Sequence, residues 1–325
     1  MGDGRPRSPH ATSGCRLIAG RFAPSPSGLM HLGNARTALL AWLDVRARGG
    51  RMILRIEDLD RDRCRPEYVV ALREDLAWLG LDWDEETRPQ SQRAEAYRSA
   101  VARLDAAGLV YECYCTRREL AVASAPHGAS EEAPAYPGTC RELSERRRAD
   151  LRATGRPPAL RVRMPDRLPA VHDRVHGDVP GASGGDVVLR RSDGLYAYQL
   201  AVVVDDAADG VTDVVRGDDL LASTPRQAAL AGMLGLPGVD YAHVPLVVDA
   251  AGVRLAKRHA SLTLRSLRDA GVTAQALVGA MAAAAGIGDG RPADPAALAA
   301  RFDIARISRE PWAADEREIL RTARV

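Results

Sequence analysis

The chain has 325 residues, 46% of them hydrophobic, with a formal net charge of +2. That length holds roughly two domains, and no apolar run reaches the ~18 residues of a membrane span. A charge of +2 is too small to identify a nucleic-acid binder, and residues 1–14 (MGDGRPRSPHATSG) read as a disordered tail with no apolar signal-peptide core. Five cysteines without a secretion signal predict a reducing, cytoplasmic setting and favour metal binding over disulfides.

Residues 15–23 (CRLIAGRFA) predict a short strand, followed by a Pro/Ser/Gly loop (PSPSG). An amphipathic helix is expected from Leu32 to Arg48, stopping at Gly49-Gly50. Residues 51–57 (RMILRIE) alternate as a second strand, and helices are expected near 66–79 and 91–107. This strand-loop-helix-strand order predicts a doubly wound parallel sheet. Ligands of such a sheet sit at the carboxyl ends of its strands.

Residues 110–185 break the rhythm and read as an insertion. They hold a cysteine cluster, a Ser/Ala/Pro/Gly loop (123–139), an Arg-rich helix and a strand (PALRVRM). The α/β pattern returns at 186–260. A strand-turn (DVVLRRSDGL) leads to a helix containing YQLAVVVDD. A strand (VTDVVRG), a helix opening at Ser223-Thr224-Pro225 and a strand (AHVPLVV) follow. Ser at an N-cap with Pro just inside is a helix-start signal. Residues 261–325 are mostly helical in pattern, so the predicted divisions are 15–109, 110–185, 186–260 and 261–325. No internal repeat is visible.

Codon pressure marks three residues. Lys257 is the only lysine among 45 Lys and Arg, Asn34 is the only asparagine, and Phe22 is one of two phenylalanines. All three types need AT-rich codons, so a GC-biased genome removes them wherever a substitute works. Lys is a compact ammonium on a flexible stem and Arg a planar fork, so a lysine surviving that pressure points to a function Arg cannot serve. Lys257 and Asn34 each lie in a phosphate-handling pattern. His31-Leu32-Gly33-Asn34 sits where the loop enters a helix, whose N-terminal N–H groups and dipole favour an anion. His31 and Asn34 are three apart and share a face, and Gly33 admits a flat base against the backbone. Taken alone, the four-residue pattern is weak and favours a capping or core histidine. Arg254-Leu255-Ala256-Lys257-Arg258 is a basic loop of the kind that closes on a triphosphate.

Cys113-x-Cys115 and Tyr136-x-x-x-Cys140 offer three thiolates, a set suited to structural zinc once a fourth ligand closes it. Generic zinc chemistry nominates His127 as that ligand. Cys15 and Cys64 have no partners in sequence. The nine arginines from Arg141 to Arg167 make either a solvated helix face or a phosphate-contact surface.

Together RFAPSPSGLMHLGN, RIEDLD (55–60), YQLAVVVDD (198–206), DVVRGDDLLASTPRQ (213–227) and RLAKR (254–258) resemble the catalytic core of glutamyl-tRNA synthetases. Those are class I enzymes with a Rossmann-like catalytic domain. Five blocks in family order make the resemblance specific over about 15–265. HLGN is similar to the HIGH signature and RLAKR to KMSKS, with Arg254 in place of the first lysine and Ala256 in place of the serine. The resemblance implies that His31, Asn34 and Lys257 are catalytic, and that His31, Gly33, Asn34 and Lys257 bind ATP with Mg²⁺. It implies a glutamate pocket of Arg21, Phe22, Ala23, Pro24, Ser25, Glu57, Tyr198 and Arg216. Arg21 would bind the side-chain carboxylate through a bidentate pair, and Glu57 the ammonium. A surface ion pair is the plain alternative for Glu57.

The stretch after Ser261 is shorter than one typical domain of about 100–200 residues, so no separate anticodon-reading domain is expected. The chain therefore resembles the family of short glutamyl-queuosine tRNA(Asp) synthetases. That likeness implies tRNA-independent activation of glutamate and its transfer to queuosine at the wobble position of tRNA(Asp). The catalytic core would hold the anticodon stem-loop, and a monomer is expected. It also implies one zinc per chain held by Cys113, Cys115, Tyr136 and Cys140, with Tyr136 in place of His127. The alternatives are a truncated glutamyl-tRNA synthetase charging a tRNA 3′ end, a small-molecule adenylating ligase, and an inactive RNA-binding module. The glutamate-pocket blocks argue against the second, and His31, Asn34 and Lys257 against the third.

Overall fold

The computed structural model describes residues 17–116, 119, 136–181, 185–249, 251–255 and 262–322. Its strands are β1 (Ala19–Phe22), β2 (Arg51–Leu54), β3 (Glu85–Glu86), β4 (Val110–Cys113), β5 (Ala159–Val162), β6 (Val171–Asp173), β7 (Gly177–Val179), β8 (Val187–Arg190), β9 (Asp213–Gly217), β10 (Asp240–Val244), β11 (Val247–Val248) and β12 (Trp312–Ala313). The helices are α1 (Leu32–Ala47), α2 (Pro66–Trp78), α3 (Ala94–Ala106), α4 (Glu145–Ala153), α5 (Tyr198–Ala208), α6 (Thr224–Met233), α7 (Leu264–Asp269), α8 (Ala274–Ala284), α9 (Pro295–Ala299) and α10 (Glu316–Thr322).

The main sheet has seven strands in the order β3-β2-β1-β9-β10-β6-β7. All neighbours are parallel except β6 and β7. The chain steps outward from β1 to β2 on one side and later to β9 on the other. A crevice therefore opens between the carboxyl ends of β1 and β9, the switch point of a doubly wound sheet. The ladder continues past β1 and β2, where Arg55 N donates to Phe22 O (3.0 Å) and Glu57 N to Pro24 O (3.0 Å). That extension carries Glu57 to the crevice.

The helix over β1 differs from the amphipathic reading. Leu32, Leu39, Leu40 and Leu43 are buried, but so are Arg36, Asp44 and Trp42. The C-terminal helices supply the second wall: Val278, Met281 and Ala299 share one apolar cluster with α1 and the sheet. A helix covered on both sides loses the one-faced pattern of a surface helix. It ends as its glycines predict, with Gly49 in the left-handed region at φ 63°.

Sheet membership does not follow the sequence divisions. From within 110–185, β6 and β7 join the main sheet beside β10. From within 186–260, β8 pairs with β5 in a separate antiparallel sheet, order β4-β5-β8. The helix start at Ser223 also differs in detail. A 3₁₀ turn over Asp218–Ser223 runs directly into α6, so Ser223 is already helical and makes no side-chain cap. Its hydroxyl accepts instead from Gln199 Nε2 (3.1 Å).

Gly20 in β1 fixes how closely α1 lies on the sheet. A Cβ there would stand 2.2 Å from Val45 Cγ2. Gly20→Ala therefore overpacks a buried contact, which typically costs about 1–3 kcal/mol. A urea midpoint lowered by that amount is expected, and an unchanged midpoint would show that α1 can shift without cost.

Candidate active site

A cleft of about 310 Å³ opens at the switch point. It brings together Arg21, Phe22, Ala23, Pro24, Ser25, His31, Gly33, Asn34, Glu57, Tyr198 and Arg216. These come from β1 and its loop, the start of α1, the end of β2, the start of α5, and β9. Every glutamate- and ATP-site residue expected from sequence lies there except Lys257, which falls outside the described residues, as do His127 and Cys15. Arg254 also lines the cleft, and its Nη1 meets Asp219 Oδ2 at 2.5 Å.

His31 is the N-cap residue of α1 in extended backbone conformation, and its side chain makes no cap bond. Its ring is therefore not committed to the helix end, and it faces the cleft. Ala35 N donates to His31 O at 3.1 Å. A Cβ on Gly33 would meet the His31 ring at 3.1 Å, so the glycine leaves space beside that ring.

Beneath the cleft lies a buried charge network, which the surface-pair reading of Glu57 does not describe. Arg55 is fully buried, and its guanidinium donates to Asp206 (2.6 Å), Asp209 (3.1 Å) and Glu57 (3.3 Å). Arg21 Nε donates to the same Asp206 Oδ1 (3.4 Å), and its Nη1 to Val215 O (3.3 Å). Its Nη2 takes part in neither bond, so a donor edge remains beside the cleft. Burial pushes the Glu57 carboxyl up to about 7, opposed by Arg55 and Arg21 and reinforced by Asp206 and Asp205. For Asp206 burial acts the same way, but Arg55 and Arg21 outweigh it and hold its carboxyl below the usual range. Two carboxylates in one pocket thus take opposite directions.

Arg55, Asp205 and Asp206 were not singled out as site residues from sequence. Their signal was nonetheless present: adjacent acids end an apolar helical run, and an arginine sits mid-strand between Leu54 and Ile56. Unpartnered charges do not belong at such positions.

The cysteine cluster forms a second centre under β4. Sulfurs of Cys113, Cys115 and Cys140 lie within 4.8 Å of one another. Cys115 and Cys140 sulfurs are 3.6 Å apart, and Tyr136 Oη is 3.5 Å from Cys113 Sγ and 3.8 Å from Cys115 Sγ. A tetrahedral zinc with bonds of about 2.3 Å to sulfur and 2.0–2.2 Å to oxygen sets ligand–ligand edges near 3.5–3.8 Å. These three contacts fall at that figure. Cys140 N donates to Tyr136 Oη (2.7 Å), and the Arg161 guanidinium lies 3.7 Å over the Tyr136 ring, which fixes its direction. Cys64 is half-buried and remote from this group. The Arg-rich segment is a mainly exposed helix, with Arg152 paired to Glu112 (2.9 Å) and Glu145 (2.8 Å). Among the described residues no helix is long and apolar enough to cross a membrane.

Removing Arg55 leaves the buried Asp206 with only the longer Arg21 contact at 3.4 Å, while Asp209 keeps Arg93 at 2.7 Å. Breaking a buried pair from one side typically costs about 3–5 kcal/mol. Arg55→Leu should lower denaturant stability by that order. A loss below roughly 1 kcal/mol would show that the network relaxes around the gap.

Comparison with known proteins agrees with this geometry. Residues 17–308 match the family model described as tRNA synthetases class I (E and Q), catalytic domain. The chain is 52% identical over 307 residues to the glutamyl-Q tRNA(Asp) synthetase of Symbiobacterium thermophilum, covering 91% of this chain and 95% of that protein. It is 55% identical over 295 residues to the protein of the same name in Nocardia farcinica, covering 90% and 92%. Among solved structures, a glutamate-tRNA synthetase from Elizabethkingia anophelis superposes with a TM-score of 0.79 at 25% identity, over 93% of this chain and 69% of that one.

Proposed function

The chain belongs to the E and Q family of class I tRNA synthetases, and we propose that it activates L-glutamate with ATP and transfers it to queuosine at the wobble position of tRNA(Asp). It is a ligase of the aminoacyl-tRNA type. One observation carries the amino-acid assignment: two buried arginines, Arg21 and Arg216, face a single buried carboxyl, Glu57, across one cleft. A dicarboxylic amino acid offers the complementary charges. Arg21, through its open Nη2, takes the side-chain carboxylate, Glu57 takes the ammonium, and Tyr198 and Arg216 hold the remaining end. Phe22, Ala23, Pro24 and Ser25 form the wall of that pocket.

The substrate's α-carboxylate then attacks the α-phosphorus of ATP, and pyrophosphate leaves in line. His31 and Asn34, at the positive end of α1, and the adjacent Gly33 hold the nucleotide. Lys257 supplies mobile positive charge to the leaving pyrophosphate. Mg²⁺ bound with ATP neutralises phosphate charge. A hydroxyl of the acceptor displaces AMP. The acceptor assignment rests on the two relatives named glutamyl-Q tRNA(Asp) synthetase, whose length this chain spans almost entirely. An anticodon base is presented unstacked, as single-stranded RNA usually is, and the exposed arginines of 141–167, Arg146, Arg147, Arg156 and Arg167 among them, follow its backbone phosphates.

The test is glutamate-dependent ATP–pyrophosphate exchange without RNA, followed by labelling of tRNA(Asp) with and without queuosine. Exchange and labelling of only the queuosine form are expected. Equal labelling of tRNA(Glu) or of unmodified tRNA(Asp) would favour an ordinary 3′-charging enzyme.

Glutamate binding should carry the ionisation of Glu57. With its carboxyl raised to about 7, the ammonium partner is neutralised below that pH and must lose its proton to bind. The glutamate KM should therefore rise as pH falls through about 7, approaching ten-fold per unit. In Glu57→Gln this slope should vanish while the KM is raised throughout. A parent KM that stays flat over roughly pH 6–8 would remove Glu57 from that role.

We also assign one structural zinc to Cys113, Cys115, Tyr136 and Cys140. It would tie β4, the edge strand of the small sheet, to the segment preceding α4. Elemental analysis should find one zinc per chain, lost more readily to a chelator in Tyr136→Phe. Metal that persists in Tyr136→Phe and disappears in His127→Ala would make His127 the fourth ligand.

A further inference from the structure

Arg216 stands in β9 with its guanidinium almost fully engaged on the side away from the cleft. Its Nε donates to His243 Nε2 (2.9 Å), its Nη1 to Gln227 Oε1 (2.7 Å) and its Nη2 to Thr224 Oγ1 (2.7 Å). A further, longer hydrogen bond runs from Nη1 to Tyr198 Oη (3.4 Å) on the cleft side, and the guanidinium lies 5.2 Å from the centroid of the Tyr241 ring. The orientation of Arg216 is therefore set by what stands behind it, and His243 is the only imidazole in that set.

An arginine Nε–H can only donate. His243 Nε2 must therefore accept, and its ring proton must sit on Nδ1. That proton points at Asp173 Oδ2, 2.6 Å away. The partner of one ring nitrogen decides the state of the other. Asp173 is itself fixed: Val175 N and His176 N donate to its Oδ1 (both 2.9 Å), and His243 N to its Oδ2 (3.0 Å). Asp173 is 1% exposed and His243 is fully buried, so no water competes for either. Burial works against the Asp173 charge, but the His243 hydrogen bond and these backbone donors hold the carboxyl below its usual range. Burial keeps the imidazole neutral.

We propose that Asp173 and His243 are positioning residues for the amino-acid site: Asp173 fixes the Nδ1–H form of His243, which alone can accept from Arg216 and aim its guanidinium into the cleft. Asp173 comes from β6, the strand that joins the sheet from within the 110–185 segment, and β10 carries His243 beside β9. The order β9-β10-β6 thus lines up Arg216, His243 and Asp173 across three neighbouring strands. Neither Asp173 nor His243 lines the cleft. The inference rests on the proposed role of Arg216 in holding the amino acid.

Three variants test it: Asp173→Asn, His243→Leu and His243→Gln. In Asp173→Asn an amide N–H faces either His243 Nδ1 or the backbone donors. The first choice moves the ring proton to Nε2, against Arg216; the second sets donor against donor. His243→Leu removes the acceptor, while His243→Gln returns a carbonyl oxygen at the reach of Nε2. The readouts are KM for glutamate and for ATP in pyrophosphate exchange, glutamate affinity by calorimetry, and thermal unfolding. Asp173→Asn and His243→Leu should raise the glutamate KM and dissociation constant about ten-fold or more, the usual loss of a hydrogen bond to a charged group. ATP KM should stay within about two-fold, and His243→Gln should recover most of the loss. A merely structural role predicts instead a lowered melting temperature with kcat falling and both KM values unmoved. That result overturns the proposal, as does a His243→Gln no better than His243→Leu, or an Asp173→Asn with unchanged glutamate affinity. A parent that neither exchanges nor binds glutamate would overturn the glutamate reading itself. Intact parent activity with unaffected variants overturns only the positioning role.

Discussion

The site depends on keeping ionised groups out of water beneath it. Arg55 and Asp206 meet at 2.6 Å with Arg55 fully buried, and desolvating such a pair costs several kcal/mol per ion before attraction offsets it. The offset here comes from number as much as from distance. Arg55 serves three carboxylates, Asp206 serves two guanidiniums, and Asp205 adds hydrogen bonds from Tyr97 and Gln90 (both 2.8 Å). This network gains little stability over an apolar plug of the same volume. Its product is direction: Arg21 and Glu57 are both anchored to it, so their side chains are set at one mutual distance in the cleft before any ligand arrives.

Much of this was legible in the sequence because it is local. The strand-loop-helix opening, the glycine stop at Gly49 and the strand that delivers Arg216 are written in hydrophobic period and turn residues, and all are found in place. The cleft gathers residues from Arg21 to Arg254, and motif order carried what spacing could not. The cysteine cluster was legible for the same reason. Two short cysteine-bearing motifs sit at the ends of one excursion, and the structure closes them onto Tyr136.

What the sequence did not yield are the relations that exist only between strands distant in the chain. VHDRVHG reads as a polar piece of an insertion, and nothing local says that its first three residues form the sixth strand of the main sheet. Once they do, Asp173 acquires His243 as a partner, and a residue with no motif stands two bonds from the cleft. The amphipathic reading of α1 failed for a related reason. Its outer face is covered by helices more than 200 residues later, and burial on two sides erases the periodicity by which a one-sided helix is recognised.

The scarcity of lysine connects these observations. A lysine offers three rotating donors from one point, while an arginine offers five in a fixed fork. Among the described residues the buried side chains with a fixed positive charge are all arginines, and a fork can serve several partners at once. Arg216 binds a histidine, a glutamine and a threonine on one side and still presents an edge to the cleft. Arg55 joins Asp206 within α5, Asp209 at that helix's C-cap and Glu57 beyond β2. Arg161 bonds Asp186 O (2.6 Å) while lying over the Tyr136 ring. Such hubs make the frame of the site rigid, because moving one guanidinium breaks several bonds together.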